Sequence, residues 1–219
     1  MKNKKNKLVP LITGLLVLGF VIALITIRFS GKYDSDLLKA KELPKLDILT
    51  TFLEEPVAST AFSLKNHLNE NFTQEKLRGK WSFLFFGYIN CPDICPNTMA
   101  VLNKVFENLS KTNDLGNTAF IFSTVDPQRD TVKSMAEYVA YFNKDFIGLI
   151  GEKEEIDQIT KAMNIAYILE ESSNNEYQVG HSTAILLIDP KGRQVARFSD
   201  HQNAEEISGD FRKIRQYFE

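Results

Sequence analysis

Apolar runs of strand length stand out from a mainly polar background in this chain. WSFLFFGY (81–88) and TAFIFSTV (118–125) lack strict polar alternation, which is typical of strands buried on both faces. FIGLIG (146–151) is shorter and equally apolar. TAILLIDPKGRQVARF (183–198) predicts a β-hairpin, because a D-P-K-G turn separates two apolar halves. TAFSLKN (60–66) predicts one more strand.

Helical periodicity fills the intervals between these strands. Helices are predicted at about Pro96–Ser110, Thr131–Phe142, Glu154–Asn164 and Ala204–Tyr217. Asp130 is the predicted N-cap of the second helix. Strands that alternate with helices and end in a hairpin and a helix predict an α/β fold around a mixed sheet. The order of strand, cysteine motif and helix is typical of a thioredoxin-like fold.

The N-terminal part of the chain has a different pattern. Residues 8–27 form a run of 20 uncharged residues, and a helix of that length spans roughly 30 Å of hydrocarbon. A cleaved signal peptide is the alternative, but the run is long for one and no small-x-small cleavage site follows it. We therefore predict a basic tail at 1–7, a transmembrane anchor at 8–27, a juxtamembrane linker at 28–55 and the main domain at 56–219.

The charge pattern predicts the orientation of the anchor and excludes one class of partner. The tail carries four lysines, so the positive-inside rule puts it in the cytoplasm and the main domain outside. No Arg- and Ser-rich transit peptide precedes the run, which favours a bacterial inner membrane and a periplasmic or other extracytoplasmic domain. Six of the 26 basic residues lie within 1–33, and the rest of the chain has 20 basic against 28 acidic groups. That acidic balance argues against nucleic acid as a partner.

The chemistry of the chain centres on its two cysteines, Cys91 and Cys95. Each precedes a proline, and Pro96 suits the first position of a helix, so the motif lies between a strand end and a helix N-terminus. That position favours thiolate over thiol. The C-x-x-x-C spacing is one residue wider than the redox loop of thioredoxins. Two such thiolates could form a bridge or bind one soft metal ion, with Cu(I) favoured and zinc as the alternative.

A third metal ligand is expected to be a histidine, and the chain offers three. His67 lies in a polar stretch that predicts an exposed turn, and His201 precedes the last helix. His181 comes immediately before an apolar strand, where a side chain can be aimed at the end of a neighbouring strand. Position therefore favours His181, although a histidine that only makes a hydrogen bond in a loop remains the alternative.

Four segments, taken together, resemble the Sco/SenC family, the copper-binding assembly proteins of cytochrome c oxidase. FFGYINCPDICP (85–96) is similar to the family signature G-Y-x-x-C-P-D-x-C-P, and FSTVDPQRDT (122–131) is similar to S-V-D-P-x-R-D-T. FIGLIGEKEEI and HSTAILLIDPKGR match later segments of the family in order and spacing. The resemblance covers most of residues 60–200. It departs at Gly180, where the family usually has an acidic residue before the histidine.

The resemblance implies a thioredoxin-like domain on one membrane anchor, with one copper ion bound by Cys91, Cys95 and His181 as Cu(I) and also as Cu(II). It also implies delivery of copper to the binuclear site of cytochrome c oxidase subunit II, with a periplasmic copper donor or thiol reductant upstream. We expect Asp126 and Arg129 to have structural roles, in a turn and an ion pair. Asp93 is expected either to cap a helix or to support the metal site.

Two other activities use the same residues. In a thiol-disulfide reductase, Cys91 would attack a disulfide of the oxidase copper site and Cys95 would resolve the mixed disulfide. His181 would then only tune the thiolates, so its loss would impair copper retention more than redox exchange. A peroxidase is the weaker alternative, because Tyr88 occupies the position three residues before Cys91 where a T-x-x-C motif has threonine.

Overall fold

The computed structural model describes residues 19–22, 50–171 and 177–218. The chain divides into two compact units, Met1–Leu46 and Asp47–Glu219. In the first unit only residues 19–22 are described, and they are helical. The predicted tail (1–7), most of the predicted anchor (8–27) and most of the linker therefore lie outside the described residues. Among the residues that are described, no helix is long and apolar enough to cross a bilayer.

The second unit alternates strands and helices. Its described strands are β1 Thr51–Ala58, β2 Ser63–Asn66, β3 Asn71–Thr73, β4 Trp81–Gly87, β5 Thr118–Thr124, β6 Ile147–Ile150, β7 Tyr167–Glu171, β8 Tyr177–His181, β9 Ile185–Ile188 and β10 Arg193–Phe198. Its described α-helices are α1 Ile94–Lys111, α2 Val132–Phe142, α3 Lys153–Ala162 and α4 Ala204–Phe218, and a 3₁₀ turn spans Gln74–Leu77.

Eight of these strands form one mixed sheet in the order β1-β10-β9-β4-β5-β6-β2-β3. The pairs β4–β5 and β5–β6 are parallel, and the other neighbours are antiparallel. β7 and β8 form a separate antiparallel pair. The predicted α/β fold with a central mixed sheet is thus confirmed.

The core lies around β4, all seven of whose residues are buried. β4 is central because β9 and β5 pair with its two edges. Its Phe83 ring stacks on Phe120 of β5 at 4.9 Å between centroids and packs against Phe211 of α4 at 5.1 Å. A strand enclosed in this way needs no polar alternation, which explains its continuous apolar sequence.

Four strands lie where the sequence pattern did not predict them. β1 begins at Thr51, inside the predicted linker (28–55), and pairs with β10 with a register shift between Phe52 and Val57. An irregular edge strand that contains a proline gives a weak pattern. β3 has three residues, and the β7–β8 pair stands apart from the main sheet, so these strands also lack a strong alternation.

Two helix starts differ from their predictions. α1 begins at Ile94, so Cys95 lies in its first turn, where Pro96 is tolerated because the amide it lacks would have no partner in the helix. The prediction of Asp130 as the N-cap of α2 is wrong. Thr131 caps this helix in a reciprocal pair of hydrogen bonds with Ser134, and Asp130 points elsewhere.

Candidate metal site

The cysteine motif begins where β4 leaves the sheet after Gly87. The chain turns at once, with the amide of Cys91 donating to the carbonyl oxygen of Tyr88 at 3.3 Å. Asp93 occupies the N-cap of α1, and its carboxylate accepts from the side-chain amide of Asn97 at 2.7 Å. The contacts of Asp93 are thus with the first turn of α1. Cys91 lies in the loop and Cys95 in the first helical turn behind it.

The structure brings the three predicted residues together. The two cysteine sulfurs and a ring nitrogen of His181 all lie within 4.8 Å of one another. Cys95 Sγ is 3.2 Å from His181 Nε2, and the amide of Cys95 donates to Cys91 Sγ at 3.4 Å. Both cysteines are free thiols; Cys95 is buried and Cys91 is half-buried. Two sulfurs and one imidazole nitrogen form a donor set that could hold one soft metal ion.

The ring of His181 is oriented so that Nε2 faces the cysteines. Nδ1 lies 3.0 Å from the carbonyl oxygen of Ser182. Since a carbonyl can only accept, Nδ1 carries the ring hydrogen and Nε2 keeps its lone pair. The rings of Phe85 and Tyr88 pack edge-on against the imidazole at 6.0 and 5.8 Å between centroids. These contacts prepare Nε2 as an acceptor or a metal ligand.

Burial favours the uncharged forms of Cys95 and His181. It raises the pKa of the Cys95 thiol and lowers the pKa of His181. The Cys95 thiol can therefore donate its hydrogen to the neutral imidazole. A soft cation that takes the place of this proton would supply the charge that makes a buried thiolate favourable.

Gly87 leaves the space that the buried sulfur occupies. A Cβ at this position would lie 2.7 Å from Cys95 Sγ and 2.9 Å from the ring of Phe122. Its role is close packing, since any side chain would push the sulfur out of its place. This glycine precedes the tyrosine of the cysteine signature.

The other two histidines lie elsewhere. His67 lies in a turn, as predicted, but it is partly buried: its Nδ1 accepts from the amide of Gly148 at 3.1 Å, and burial lowers its pKa. The His201 side chain is 92% exposed and lies 3.7 Å from the carboxylate of Asp200. Neither belongs to the cysteine cluster.

The loop after β5 packs against the cysteine loop. Asp130, 3% exposed, accepts through Oδ2 from the amide of Ile89 at 3.2 Å and from the hydroxyl of Thr124 at 2.5 Å. Burial raises its pKa. The amide of Val125 donates to the carbonyl of Gly87 at 2.8 Å. Asp130 therefore holds the cysteine loop in place, whereas the sequence predicted that it would cap α2.

The same loop also reaches β8. The Asp126 carbonyl accepts from the amides of Arg129 and Asp130, which confirms the predicted turn. The Asp126 carboxylate pairs with Arg129 Nε at 2.5 Å, which confirms the predicted ion pair. The hydroxyl of Tyr177, at the start of β8, donates to Asp126 Oδ1 at 2.5 Å.

Sequence reasoning did not single out Tyr88 as part of the site. Tyr88 is 5% exposed, and its hydroxyl bonds to the backbone of Val179 and contacts Cys91. Burial, followed by the proximity of Cys91, raises its pKa. The available signal was its place in the G-Y-x-x-C signature, but a tyrosine after an apolar strand is otherwise unremarkable.

These features define the class of protein: an α/β domain with a partly buried thiol–thiol–imidazole cluster at the carboxyl end of a central strand. Comparison with known proteins gives the family. The sequence profile of the SCO1/SenC family matches residues 52–216, which is most of the chain. The chain therefore belongs to the SCO1/SenC family.

Individual relatives agree with this assignment. The mitochondrial SCO2 homologue of Bos taurus is 36% identical over 153 residues, which cover 69% of this chain and 58% of the relative. SCO1 homologue 1 of Arabidopsis thaliana, also mitochondrial, is 34% identical over 157 residues, 71% of this chain and 47% of the relative. The chain thus spans about half the length of such curated relatives.

Solved structures agree in fold and, in some cases, contain copper. The crystal structure of Arabidopsis thaliana ScoI with copper bound has a TM-score of 0.68 and 33% identity. That comparison covers 73% of this chain and 99% of the plant chain. The similarity thus spans the α/β domain that carries the cysteine cluster.

Proposed function

We propose that this chain is a membrane-anchored copper metallochaperone that binds one copper ion through Cys91, Cys95 and His181. The observation that carries the proposal is the approach of two sulfurs and one imidazole nitrogen to within 4.8 Å. Thiolates and imidazole suit Cu(I), and with imidazole as one of its ligands the site can also take Cu(II). Copper-bound structures of relatives support the same cargo.

The geometry gives each ligand a separate role in loading and release. Binding of copper at Cys95 releases the proton that its thiol shares with His181 Nε2. Cys91 is the less buried of the two cysteines, so its sulfur is where an incoming thiolate would first meet the ion. His181 is reached from solvent through a shallow cleft of about 330 Å³ between the ends of β7 and β8, where Gly180 replaces the family acid.

The proposed acceptor is the binuclear copper site of cytochrome c oxidase subunit II. Transfer would proceed by ligand exchange, with acceptor thiolates replacing Cys91, Cys95 and His181 in turn. The anchor proposed at 8–27 would hold the domain on the outer face of a bacterial inner membrane, beside the oxidase, and raise the effective concentration of both partners. A periplasmic copper donor would reload the site, and a thiol reductant would return Cys91 and Cys95 to the dithiol that binds the ion.

A second candidate is a thiol-disulfide reductase acting on the cysteines of that same oxidase site. One observation favours it: the Cys91 thiol is half-buried and more accessible to a substrate than the Cys95 thiol, which is buried. In that order Cys91 attacks the substrate disulfide, one substrate sulfur leaves as a thiolate, and Cys95 then displaces the other. The substrate gains two electrons as a dithiol, and Cys91 and Cys95 lose them as a disulfide.

Anaerobic Cu(I) titration of the reduced full chain against a chromophoric competitor tests the proposal. We expect one tight equivalent in the parent, loss of tight binding in Cys91→Ser/Cys95→Ser, and a dissociation constant at least about tenfold higher in His181→Ala. His201→Ala is the matched control, because this histidine is exposed and lies away from the cluster. A parent without tight copper refutes the chaperone and leaves the reductase.

A disulfide-exchange assay on the same variants separates the two candidates. If copper handling is the function, His181→Ala lowers copper retention while dithiol exchange continues at a similar rate. If reduction is the function, exchange with a model disulfide is fast in the parent and copper does not bind tightly. Loss of exchange in the double serine variant serves as the zero point for both.

A further inference from the structure

Arg129 lies between the cysteine loop and strand β8. Its guanidinium carbon is 3.9 Å from the ring centroid of Tyr177, at the start of β8, and 5.6 Å from that of Tyr88, in the cysteine loop. β8 ends at His181. One side chain thus contacts both the segment that presents the cysteines and the strand that presents the histidine.

Hydrogen bonds connect Arg129 to the start of β8, the strand that ends at His181. Arg129 Nη1 donates to the carbonyl oxygen of Tyr177 at 2.9 Å, while Nε pairs with the Asp126 carboxylate. The Tyr177 hydroxyl donates to the other oxygen of that carboxylate. The planar guanidinium therefore holds a backbone group and a carboxylate at a fixed separation, which a flexible lysine could not reproduce.

The cysteine side is fixed through the same loop. Asp130 follows Arg129 directly and accepts from the amide of Ile89, two residues before Cys91. The Arg129 cation also faces the Tyr88 ring, whose hydroxyl contacts Cys91. The cysteine loop and β8 thus both contact one short segment, residues 126–130, which fixes their positions relative to each other.

We propose that Arg129, braced by Asp126, is a positioning residue that sets the distance between His181 and the two cysteine sulfurs. The inference rests on the proposed copper site. Tyr177 and His181 are the two ends of a five-residue strand about 13 Å long, so a shift at one end of this stiff segment is carried to the other. Without the guanidinium, the strand loses its backbone tie at Tyr177 and keeps only the hydroxyl contact with Asp126, so we expect the imidazole to shift from its 3.2 Å position beside Cys95 Sγ.

The test compares Arg129→Met with a matched control, Arg193→Met. Both arginine side chains are 30% exposed, and each pairs with a buried aspartate, Asp126 or Asp189. Arg193 follows the turn of the β9–β10 hairpin. At that turn Ile188 of β9 pairs with Ser82 at the start of β4, so Arg193 lies at the opposite end of the sheet from the cysteines. The full chain would be titrated with Cu(I), and X-ray absorption of the loaded protein would report the imidazole scattering from the ligand.

We expect Arg129→Met to raise the copper dissociation constant about 10- to 100-fold, the range seen when partners of metal ligands are removed, and to weaken the imidazole signal. Arg193→Met should stay within about twofold of the parent. In a His181→Ala background, Arg129→Met should add less than about threefold, because its effect passes through the histidine. Full imidazole scattering in Arg129→Met, or an equal loss in both backgrounds, overturns the inference.

Tyr177→Phe gives a second readout in case Arg129→Met does not fold. It removes only the hydroxyl that braces Asp126 and keeps the ring beneath the guanidinium. We expect the same direction with a smaller increase in the dissociation constant, and an unchanged constant overturns the inference. Absence of tight copper in the parent is a different result, since it refutes the proposed function itself.

Discussion

Gly87→Ala is the substitution with the sharpest expected effect on the site. The new Cβ would lie 2.7 Å from Cys95 Sγ, 2.9 Å from the ring of Phe122 and 3.3 Å from that of Phe85. Ordinary contact begins at about 3.4 Å, so the sulfur must retreat by at least about 0.7 Å. Cys95 is completely buried, and its sulfur therefore moves only by disturbing its 3.2 Å contact with His181.

The magnitude follows from the cost of overpacking. Extra carbon atoms in a filled core destabilise by about 1–3 kcal/mol. The metal-free protein can relieve part of that strain by rotating the thiol, whereas copper bound at the proposed site would require the sulfur at a fixed place. If most of the strain falls on the loaded state, the Cu(I) dissociation constant rises between about 5- and 100-fold. Competitor titration gives the affinity, and guanidinium unfolding of the metal-free protein gives the stability.

Gly209→Ala is the control for this substitution. Gly209 lies inside α4, and a Cβ there would meet nothing within 4 Å. Alanine is the better helix former, so we expect a gain of up to about 1 kcal/mol in the free energy of unfolding and unchanged copper affinity. Parental copper affinity together with parental stability in Gly87→Ala would refute the argument that this glycine makes room for the sulfur.

Three further predictions follow from the same contacts. Phe83→Ala should lower the free energy of unfolding by about 3–5 kcal/mol, because the ring is fully buried between Phe120 and Phe211; chemical denaturation measures this. Tyr88→Phe should weaken copper binding several-fold in competitor titration without unfolding the protein, since only the hydroxyl is lost. Burial lowers the pKa of His67 below its ordinary 6.5, so the unfolded chain takes up the proton first as the pH falls. The metal-free protein should lose stability from pH 7 to pH 5, and His67→Asn should flatten that slope.

Sequence patterns predicted the elements that pack on both faces. β4 and β5 appear as continuous apolar runs because helices and neighbouring strands enclose them. The hairpin of β9 and β10 was predicted from its turn, where Gly192 adopts a φ of 76°. In these segments the local sequence and the final environment agree, so periodicity and turn chemistry were sufficient.

The elements that escaped prediction depend on distant partners. β7 and β8 pair only with each other among the described residues, and Ile168 is 59% exposed, so neither strand shows a strong core pattern. Asp130 was predicted as a helix cap because an aspartate before a periodic segment usually is one. Its carboxylate instead meets the amide of Ile89, 41 residues away in the sequence, and no local pattern encodes that contact.

The meeting of His181 with the cysteines follows from strand register. β9 runs antiparallel to β4 with Ile185 opposite Phe85, so the chain enters β9 at the same end of the sheet where it leaves β4 after Gly87. His181 precedes Ile185 by four residues and Cys91 follows Gly87 by four, so both fall just beyond that end. The spacing of the two cysteines is visible in the local sequence. The register of β9 against β4, in contrast, is fixed only when the two apolar strands pair. An insertion within 182–184 would therefore separate the imidazole from both sulfurs while leaving the cysteine motif intact.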